Sequence, residues 1–298
     1  MAEMEILIQQ CVNALSLGGT YALLALGLAV VFSVLGMINF AHGEILTIAG
    51  YTVFFAIIGE VPPVLIIPLA LVVAMAAAAL MERIAFRPLR GASGTTLLIT
   101  SFAVSGILQM LFQNLISTRP RPVPIPAVLT GAFNLGPFHI GVIQSLSIFA
   151  TVAMVGLLTL FLKRTLLGIA IRAAAVDFPT TRLMGVRANR VILAAFAISG
   201  LLAGVSGLLW IAQRGSVDPL MGFLPVLKAF IAAILGGIGN LTGAVIGGFF
   251  LGAIEIGLQA VLPESIQPFR DAIALSLVVL VLLYRPQGLF GAAHSVRP

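Results

Sequence analysis

Three polar residues with the capacity for chemistry lie close together inside an apolar part of the chain. Asn39, His42 and Glu44 belong to the segment MINFAHGE, residues 37–44. Ionisable side chains inside a membrane are costly and usually face a cavity, a partner or the bundle interior. His42 and Glu44 are two residues apart and would point to different sides of a regular helix, which disfavours a metal pair or a proton-transferring dyad.

Two interpretations of this segment remain open. Asn39 and Gly43 favour a break in a long apolar helix, which would leave polar side chains and backbone groups beside a pathway or gate. A structural hydrogen-bond contact between helices explains the same residues. Lys228 and Glu255 raise the same question later in the chain, where each would pair with a partner or lie near an interface.

A second unusual segment is LGGIGNLTGAVIGGFFLG, residues 235–252. Glycines spaced four apart predict a smooth helix face that a neighbouring backbone can approach. Alternatively, Gly237, Gly239 and Asn240 break a helix and expose backbone groups to a cavity, where irregular backbone is tolerated at membrane depth. No GxxxxGK[ST] phosphate-binding loop occurs in the sequence, so nucleotide binding is not expected.

The composition indicates which elements must position these residues. The 298-residue chain is 60% hydrophobic and 9% charged, with a mean hydropathy of +1.16. This predicts an all-α, polytopic transmembrane helical bundle forming a single domain over residues 1–298. One cysteine and three well-separated histidines indicate neither a disulfide framework nor a metal site. Eight or nine membrane elements, including broken or re-entrant helices, are expected from apolar runs near 6–28, 30–58, 64–82, 95–117, 140–162, 191–212, 223–238, 241–262 and 271–284.

Basic residues in two loops predict the orientation of the bundle. Arginines recur over residues 83–90, and residues 163–190 contain six basic residues against the single acid Asp177. The positive-inside rule makes both loops cytoplasmic, which places the N-terminus outside and the tail from Arg285 inside. The net charge of +6 is therefore interpreted as an orientation signal and not as a nucleic-acid footprint.

The loop at 163–190 predicts two short helices at the cytoplasmic surface. Alanines at 173–175 favour a helix, Asp177 interrupts it, and Thr180 with its neighbour would cap a second helix that ends at Gly185. An interfacial helix held against anionic lipid and a docking surface for a partner both fit this pattern.

Three stretches, residues 18–51, 168–186 and 228–252, resemble the first of the two permease subunits of bacterial branched-chain amino acid ABC importers. The resemblance covers nearly the full chain in the right order, and INFAHGE together with LGGIGN is specific for that family. It implies a bacterial inner membrane protein that pairs with a homologous second permease, two cytoplasmic ATPases and a periplasmic binding protein. ATP and Mg²⁺ would be used by the ATPases, so this chain is expected to bind no cofactor and to have no catalytic residue.

The resemblance also implies roles for individual residues. Residues 168–185 would contain a coupling helix that docks in an ATPase groove, through Gly168, Arg172, Asp177, Leu183 and Gly185. Translocation pathway or gate residues would be Asn39, His42, Gly43, Glu44, Gly237, Gly239 and Asn240. Few formal charges in the predicted spans suit a neutral or zwitterionic solute, with leucine, isoleucine and valine favoured over urea, short amides or other amino acids.

A stand-alone ion-coupled secondary carrier is the alternative from a different class. It would use His42, Glu44 and Glu255 as proton sites. It predicts gradient-driven transport by this chain alone, lost in His42→Ala or Glu44→Gln. A membrane-embedded enzyme has little support, because no nucleophile, base and orienting group cluster recognisably.

Overall fold

A computed structural model of the protein describes residues 2–135, 138–237 and 239–290. These residues form twelve α-helices and four short β-strands. The helices are α1 (Ala2–Leu35), α2 (His42–Ile58), α3 (Pro63–Met81), α4 (Gly94–Leu115), α5 (Ala127–Thr130), α6 (Val142–Arg164), α7 (Leu166–Val176), α8 (Phe178–Leu183), α9 (Ala188–Arg214), α10 (Phe223–Gly236), α11 (Leu241–Val261) and α12 (Arg270–Tyr284). The strands are β1 (Arg121–Pro122), β2 (Ala132–Leu135), β3 (Phe138–Gly141) and β4 (Ser216–Val217).

Within the described residues, seven helical segments are long and apolar enough to cross a membrane by length and composition: α1, α3, α4, α6, α9, α11, and α12 together with the 3-10 turn that precedes it, Gln267–Tyr284. Helices α2 and α10 have 17 and 14 residues, fewer than the roughly 20 that a full crossing requires. Each of the nine apolar runs therefore corresponds to a helix, and two of these helices are short. The prediction of a polytopic helical bundle with broken elements is confirmed.

The break between the first two helices lies later than the sequence pattern predicted. The expected boundary near residue 29 is wrong, because α1 continues to Leu35. Gly36 then adopts a φ of +64°, a left-handed conformation that glycine accepts readily, and residues 37–41 are not helical. Apolar composition hardly changes from residue 20 to residue 35, so hydropathy alone does not locate this break.

Helices α1 and α9 form the centre of the bundle. In the apolar 18-residue stretch of α1, 83% of the residues are buried, and in that of α9 67% are buried. The corresponding shares are 17% for α4 and 11% for Gln267–Tyr284. Helix α1 packs against α9, α10 and α11, while α2 and α3 pack against α9. The outer helices present apolar side chains outward, as expected for contact with hydrocarbon.

Glycines bring α11 close to its two neighbours. Gly248 and Gly252 lie directly against the backbone of α1, and Gly243 and Gly247 lie against the backbone of α10. A Cβ atom at any of these four positions would collide with backbone atoms. These glycines therefore let neighbouring helices pack closely, which is one of the two roles that their four-residue spacing predicted.

The two basic loops meet on one face of the bundle. Arg90 forms an ion pair with Glu82 and donates to the Asn189 side chain at the start of α9. Arg90 and Arg182 line one cavity of about 590 Å³. This confirms that both loops lie on the same side, as the even number of helices between them predicted. At the other end of α9, β4 pairs antiparallel with β1, and β2 pairs with β3.

Candidate functional site

The non-helical segment between α1 and α2 carries polar groups into the protein interior. Asn39 is 2% exposed; its Nδ2 lies 3.7 Å from the Met81 sulfur, and its Oδ1 has no hydrogen-bond partner among the described residues. The Phe40 amide donates to the Ser101 hydroxyl of α4 at 3.3 Å. The predicted break at Asn39 is confirmed. Gly43, expected to be part of it, is instead a residue of α2.

Gly43 has a packing reason for being glycine. It lies against the backbone of Gly222, just before α10, and a Cβ on either residue would collide with the other. The contact brings the start of α2 next to the start of α10. The sequence reasoning assigned Gly43 to a helix break, whereas close approach of two backbones is what this position requires.

His42 and Glu44 face different neighbours, as their spacing predicted. The His42 Nδ1 lies 3.0 Å from the Ser199 hydroxyl of α9. The Glu44 Oε1 accepts hydrogen bonds from the Ser105 hydroxyl at 2.9 Å and from the Gln109 amide at 2.7 Å, both on α4. Both side chains are fully buried. They make separate contacts with neutral groups and do not form a dyad.

A second break separates α10 from α11. Gly237 and Gly239 have φ values of +104° and +85°, so this turn depends on glycine. Asn240 caps α11, because its Oδ1 accepts from the Gly243 amide at 3.0 Å, and its Nδ2 donates to the Phe290 carbonyl at 3.1 Å. The break predicted here is confirmed, and it also holds the segment that follows α12.

The two breaks lie beside each other. Ile38 from the first and Gly239 from the second line the same small apolar pocket. The Phe40 ring packs edge-on against Phe230 of α10, with centroids 5.2 Å apart. The structure therefore brings together the two segments that the sequence singled out separately, with α10 as their common neighbour.

A charged cluster is the feature that sequence reasoning did not assemble. The Lys228 ammonium of α10 lies 2.9 Å from Glu255 of α11 and 3.1 Å from Asp271 of α12. The Tyr21 hydroxyl of α1 donates to Glu255 at 3.0 Å. Lys228 and Glu255 were each expected to pair with a partner or to lie near an interface, and the first alternative holds. Their opposite signs in neighbouring apolar segments were the signal that they pair with each other, because an unpaired buried charge is costly.

The predicted pair of surface helices exists as α7 and α8, although the second cap differs from the prediction. Asp177 caps α8 by accepting from the Thr180 amide at 3.0 Å, whereas Thr180 is a residue of the helix itself. An acceptor is needed just before the first turn, and Asp177 is the residue there. Hydrogen bonds from Thr180 lower the pKa of Asp177. Beyond the helix, Gly185 has a φ of +84°.

The residues expected to dock on an ATPase divide into two groups. Gly168 lies against the α6 backbone, and the Arg172 Nε donates to the Leu162 carbonyl at 2.9 Å, so both hold α7 on α6. Leu183 points away from the bundle, and so does its neighbour Met184, which was not among the predicted residues; 87% and 80% of their surface is exposed. Arg172 and Asp177 are exposed as well, so contact with α6 does not remove Arg172 from the surface.

Comparison with known proteins now identifies the family. Residues 10–283 match the family described as the permease component of the branched-chain amino acid transport system. The chain belongs to this family. This permease is 38% identical to the high-affinity branched-chain amino acid transport system permease protein BraD of Pseudomonas aeruginosa, over 98% of both chains. It is 35% identical to the corresponding protein LivH of Escherichia coli K12, over 95% of both chains.

One solved structure has a comparable fold. A chain in the structure of PsaBC from Streptococcus pneumoniae in complex with Fab matches this permease with a TM-score of 0.50 and 14% identity, covering 91% of this chain and 90% of that chain. At that identity the match concerns the fold alone. Together with the seven long apolar helices in the described part of the chain, the family makes this a multi-pass membrane transport permease.

Proposed function

We propose that this permease is one pathway-forming subunit of an ATP-driven importer for branched-chain amino acids in a bacterial inner membrane. The match to BraD over 98% of both chains carries the proposal, because it includes both helix breaks and the α7–α8 loop. The substrate is taken from the relatives' names. Leucine, isoleucine and valine are neutral zwitterions with apolar side chains, which agrees with membrane helices that contain few charges.

The orientation follows from the basic loops. The face that carries residues 83–90 and 163–190 is cytoplasmic, because positively charged loops remain on that side. The N-terminus then lies outside and the tail from Arg285 lies inside. Nine of the described helices enter the membrane, and two of them, α2 and α10, are shorter than a full crossing, as in the discontinuous helices that line transport sites.

The α7–α8 loop transmits movement from two ATPase subunits, which bind ATP and Mg²⁺. An exposed apolar surface, formed by Val176, Leu183 and Met184, supports this assignment, because each of these side chains is at least 80% exposed beside a charged loop. Contiguous exposed apolar side chains commonly mark interaction sites. Gly168 and Arg172 keep α7 attached to α6, so that a displacement of the loop is transmitted to the membrane helices.

The translocation route lies between this permease and a homologous second permease, beside the two breaks. Asn39 and Glu44 each have a buried oxygen that lacks a partner among the described residues. Such atoms gain hydrogen bonds when the surrounding helices rearrange or when water and solute enter. Gly237, Gly239 and Asn240 supply the turn that lets α10 end inside the bundle. A periplasmic binding protein delivers the substrate from the opposite face.

Purification of the permease from its native membrane tests this function. We expect recovery of a second permease and two ATPases, with ATP hydrolysis stimulated by leucine-loaded binding protein. Leu183→Ser, at the end of α8, should reduce ATPase recovery, whereas Leu166→Ser, an equally exposed leucine at the start of α7, should not. A chain that is recovered alone and moves solute with only an ion gradient would refute the importer and support the secondary carrier.

A further inference from the structure

A polar cavity lies between the end of α9 and the start of α10, away from the two helix breaks. It has a volume of about 200 Å³, and its polar wall consists of Trp210, Arg214, Asp218, Lys228 and Asp271. Pockets for drug-sized ligands measure ~300–1,000 Å³. This cavity therefore suits a small solute. It lies at the end of α9 opposite the basic loops, which is the outer face in the proposed orientation.

Two of the charged residues in the wall have no ionic partner. Among the residues that the structure describes, Arg214 has no carboxylate within 4.0 Å and Asp218 has no cation within that distance. The Arg214 guanidinium sits over the Trp210 ring, 4.1 Å from its centroid. Asp218 accepts a hydrogen bond from the Leu220 amide at 3.0 Å, which orients the carboxylate. One charge of each sign is thus held in the same cavity without neutralising the other.

The other charged residues of the cavity wall, Lys228 and Asp271, already have partners of opposite charge. Asp271 lies 3.1 Å from Lys228 and 3.6 Å from Arg270, and Lys228 also contacts Glu255 at 2.9 Å. Two cations and two carboxylates therefore share this cluster. Arg214 and Asp218 are left to pair with a ligand.

We infer that this cavity binds a zwitterionic α-amino acid with an apolar side chain, held through Arg214 and Asp218. The guanidinium of Arg214 pairs with the carboxylate of the ligand, a geometry for which arginine is well suited. Asp218 accepts from the ammonium group. Leu220, Leu224 and Pro225, which line the same cavity, receive the side chain. The inference rests on the proposed function for its substrate class.

The two charges of opposite sign should make the site select zwitterionic solutes over uncharged ones. A solute without charges, such as urea, would leave Arg214 and Asp218 unpaired while displacing their water, and this lowers affinity. Loss of one charged contact corresponds to about 1.5–3 kcal/mol, or roughly tenfold or more in affinity. The site also stays weak enough to release its ligand, because Arg214 is exposed to solvent and Asp218 is partly exposed.

Ligand binding to the assembled complex without binding protein tests this site. The complex is placed in phosphatidylglycerol nanodiscs, and saturation-transfer NMR follows the methyl groups of L-leucine, of leucinol, which lacks the carboxylate, and of 4-methylpentanoate, which lacks the ammonium. Wild-type complex should bind leucine about tenfold more tightly than either analogue. Arg214→Gln should weaken leucine to the level of leucinol, and Asp218→Asn should weaken it to the level of 4-methylpentanoate.

The control is Arg119→Gln, which removes an exposed arginine outside the cavity and should keep the wild-type pattern. Unchanged leucine-to-analogue ratios in both cavity variants would overturn the inference, as would the absence of leucine binding to the wild-type complex. Loss of the leucine signal on adding phosphatidylethanolamine would identify a lipid-headgroup site and overturn it too. Receptor-driven leucine uptake is measured separately: uptake without this binding refutes the inference alone, and absence of uptake refutes the proposed substrate.

Discussion

Helices α4 and α11 are both long apolar helices with a buried polar contact, yet the protein holds them in different ways. In their apolar 18-residue stretches, 39% of the α11 residues and 17% of the α4 residues are buried. Helix α11 combines backbone contacts at four glycines with an ion pair between Glu255 and Lys228. Helix α4 is attached by hydrogen bonds alone: the Ser101 hydroxyl accepts from the Phe40 amide, and the Ser105 and Gln109 side chains donate to the Glu44 carboxyl.

This difference separates a fixed part of the bundle from a part that can move. Breaking a buried ion pair leaves an uncompensated charge and costs several kcal/mol, whereas a neutral hydrogen bond contributes about 0.5–1.5 kcal/mol. The cluster at Lys228 joins α1, α10, α11 and α12. We therefore expect these four helices to move together and α4 to shift against α2 at a lower cost.

The largest effect is expected for Lys228→Met. The substitution leaves the buried Glu255 without its cation and should lower the free energy of unfolding by about 3–5 kcal/mol. Denaturant titration of the purified complex measures this change. Adding Glu255→Met should recover much of the loss, because an apolar pair can replace a buried ion pair at little cost. If the single variant were as stable as wild type, the cluster would not stabilise α11.

Glycine substitutions should give the next largest effect and should distinguish the two helices. A Cβ at Gly252 would collide with the α1 backbone, so Gly252→Ala should cost about 1–3 kcal/mol through overpacking. Gly106 on α4 and Gly257 on α11 have open space at the Cβ position. Alanine at either should be neutral or stabilise by up to about 1 kcal/mol. Equal destabilisation at Gly252 and Gly257 would contradict the packing explanation.

The sequence predicted the helices better than their partners. Hydropathy depends on local composition, so nine apolar runs were found, and the spacing of His42 and Glu44 was enough to predict that they face different sides. The break at Gly36 lies in a uniformly apolar stretch and was misplaced. The partners of Glu44 are 61 and 65 residues away. No local pattern records such pairs, and the same is true of Lys228 with Glu255.

Ser105→Ala tests the weaker attachment of α4. Removing the hydroxyl deletes its hydrogen bond to Glu44 and the one it accepts from Gln109, but it leaves the bond from Gln109 to Glu44. We expect a loss of about 0.5–1.5 kcal/mol for each deleted bond. Ser276→Ala is the matched control, because that hydroxyl is exposed and bonds only within α12 among the described residues. Thermal unfolding of the two variants side by side gives the comparison. A loss as large as that of Lys228→Met would contradict the view that α4 is lightly held.

The smallest change in stability is expected for Glu44→Gln, and here Glu44 differs most clearly from the buried Glu255. The amide keeps an oxygen that can accept from Ser105 and Gln109, and it exchanges one polar atom that lacks a partner among the described residues for another. Stability should therefore change by less than about 1 kcal/mol. Glu255→Gln should cost more, because it weakens the pairing of Lys228.

Leucine uptake by the Glu44→Gln importer should continue when the ion gradient is abolished, since ATP hydrolysis drives transport in the proposed function. Uptake that disappears in Glu44→Gln while the complex stays intact would make this carboxyl a proton site and revive the secondary carrier.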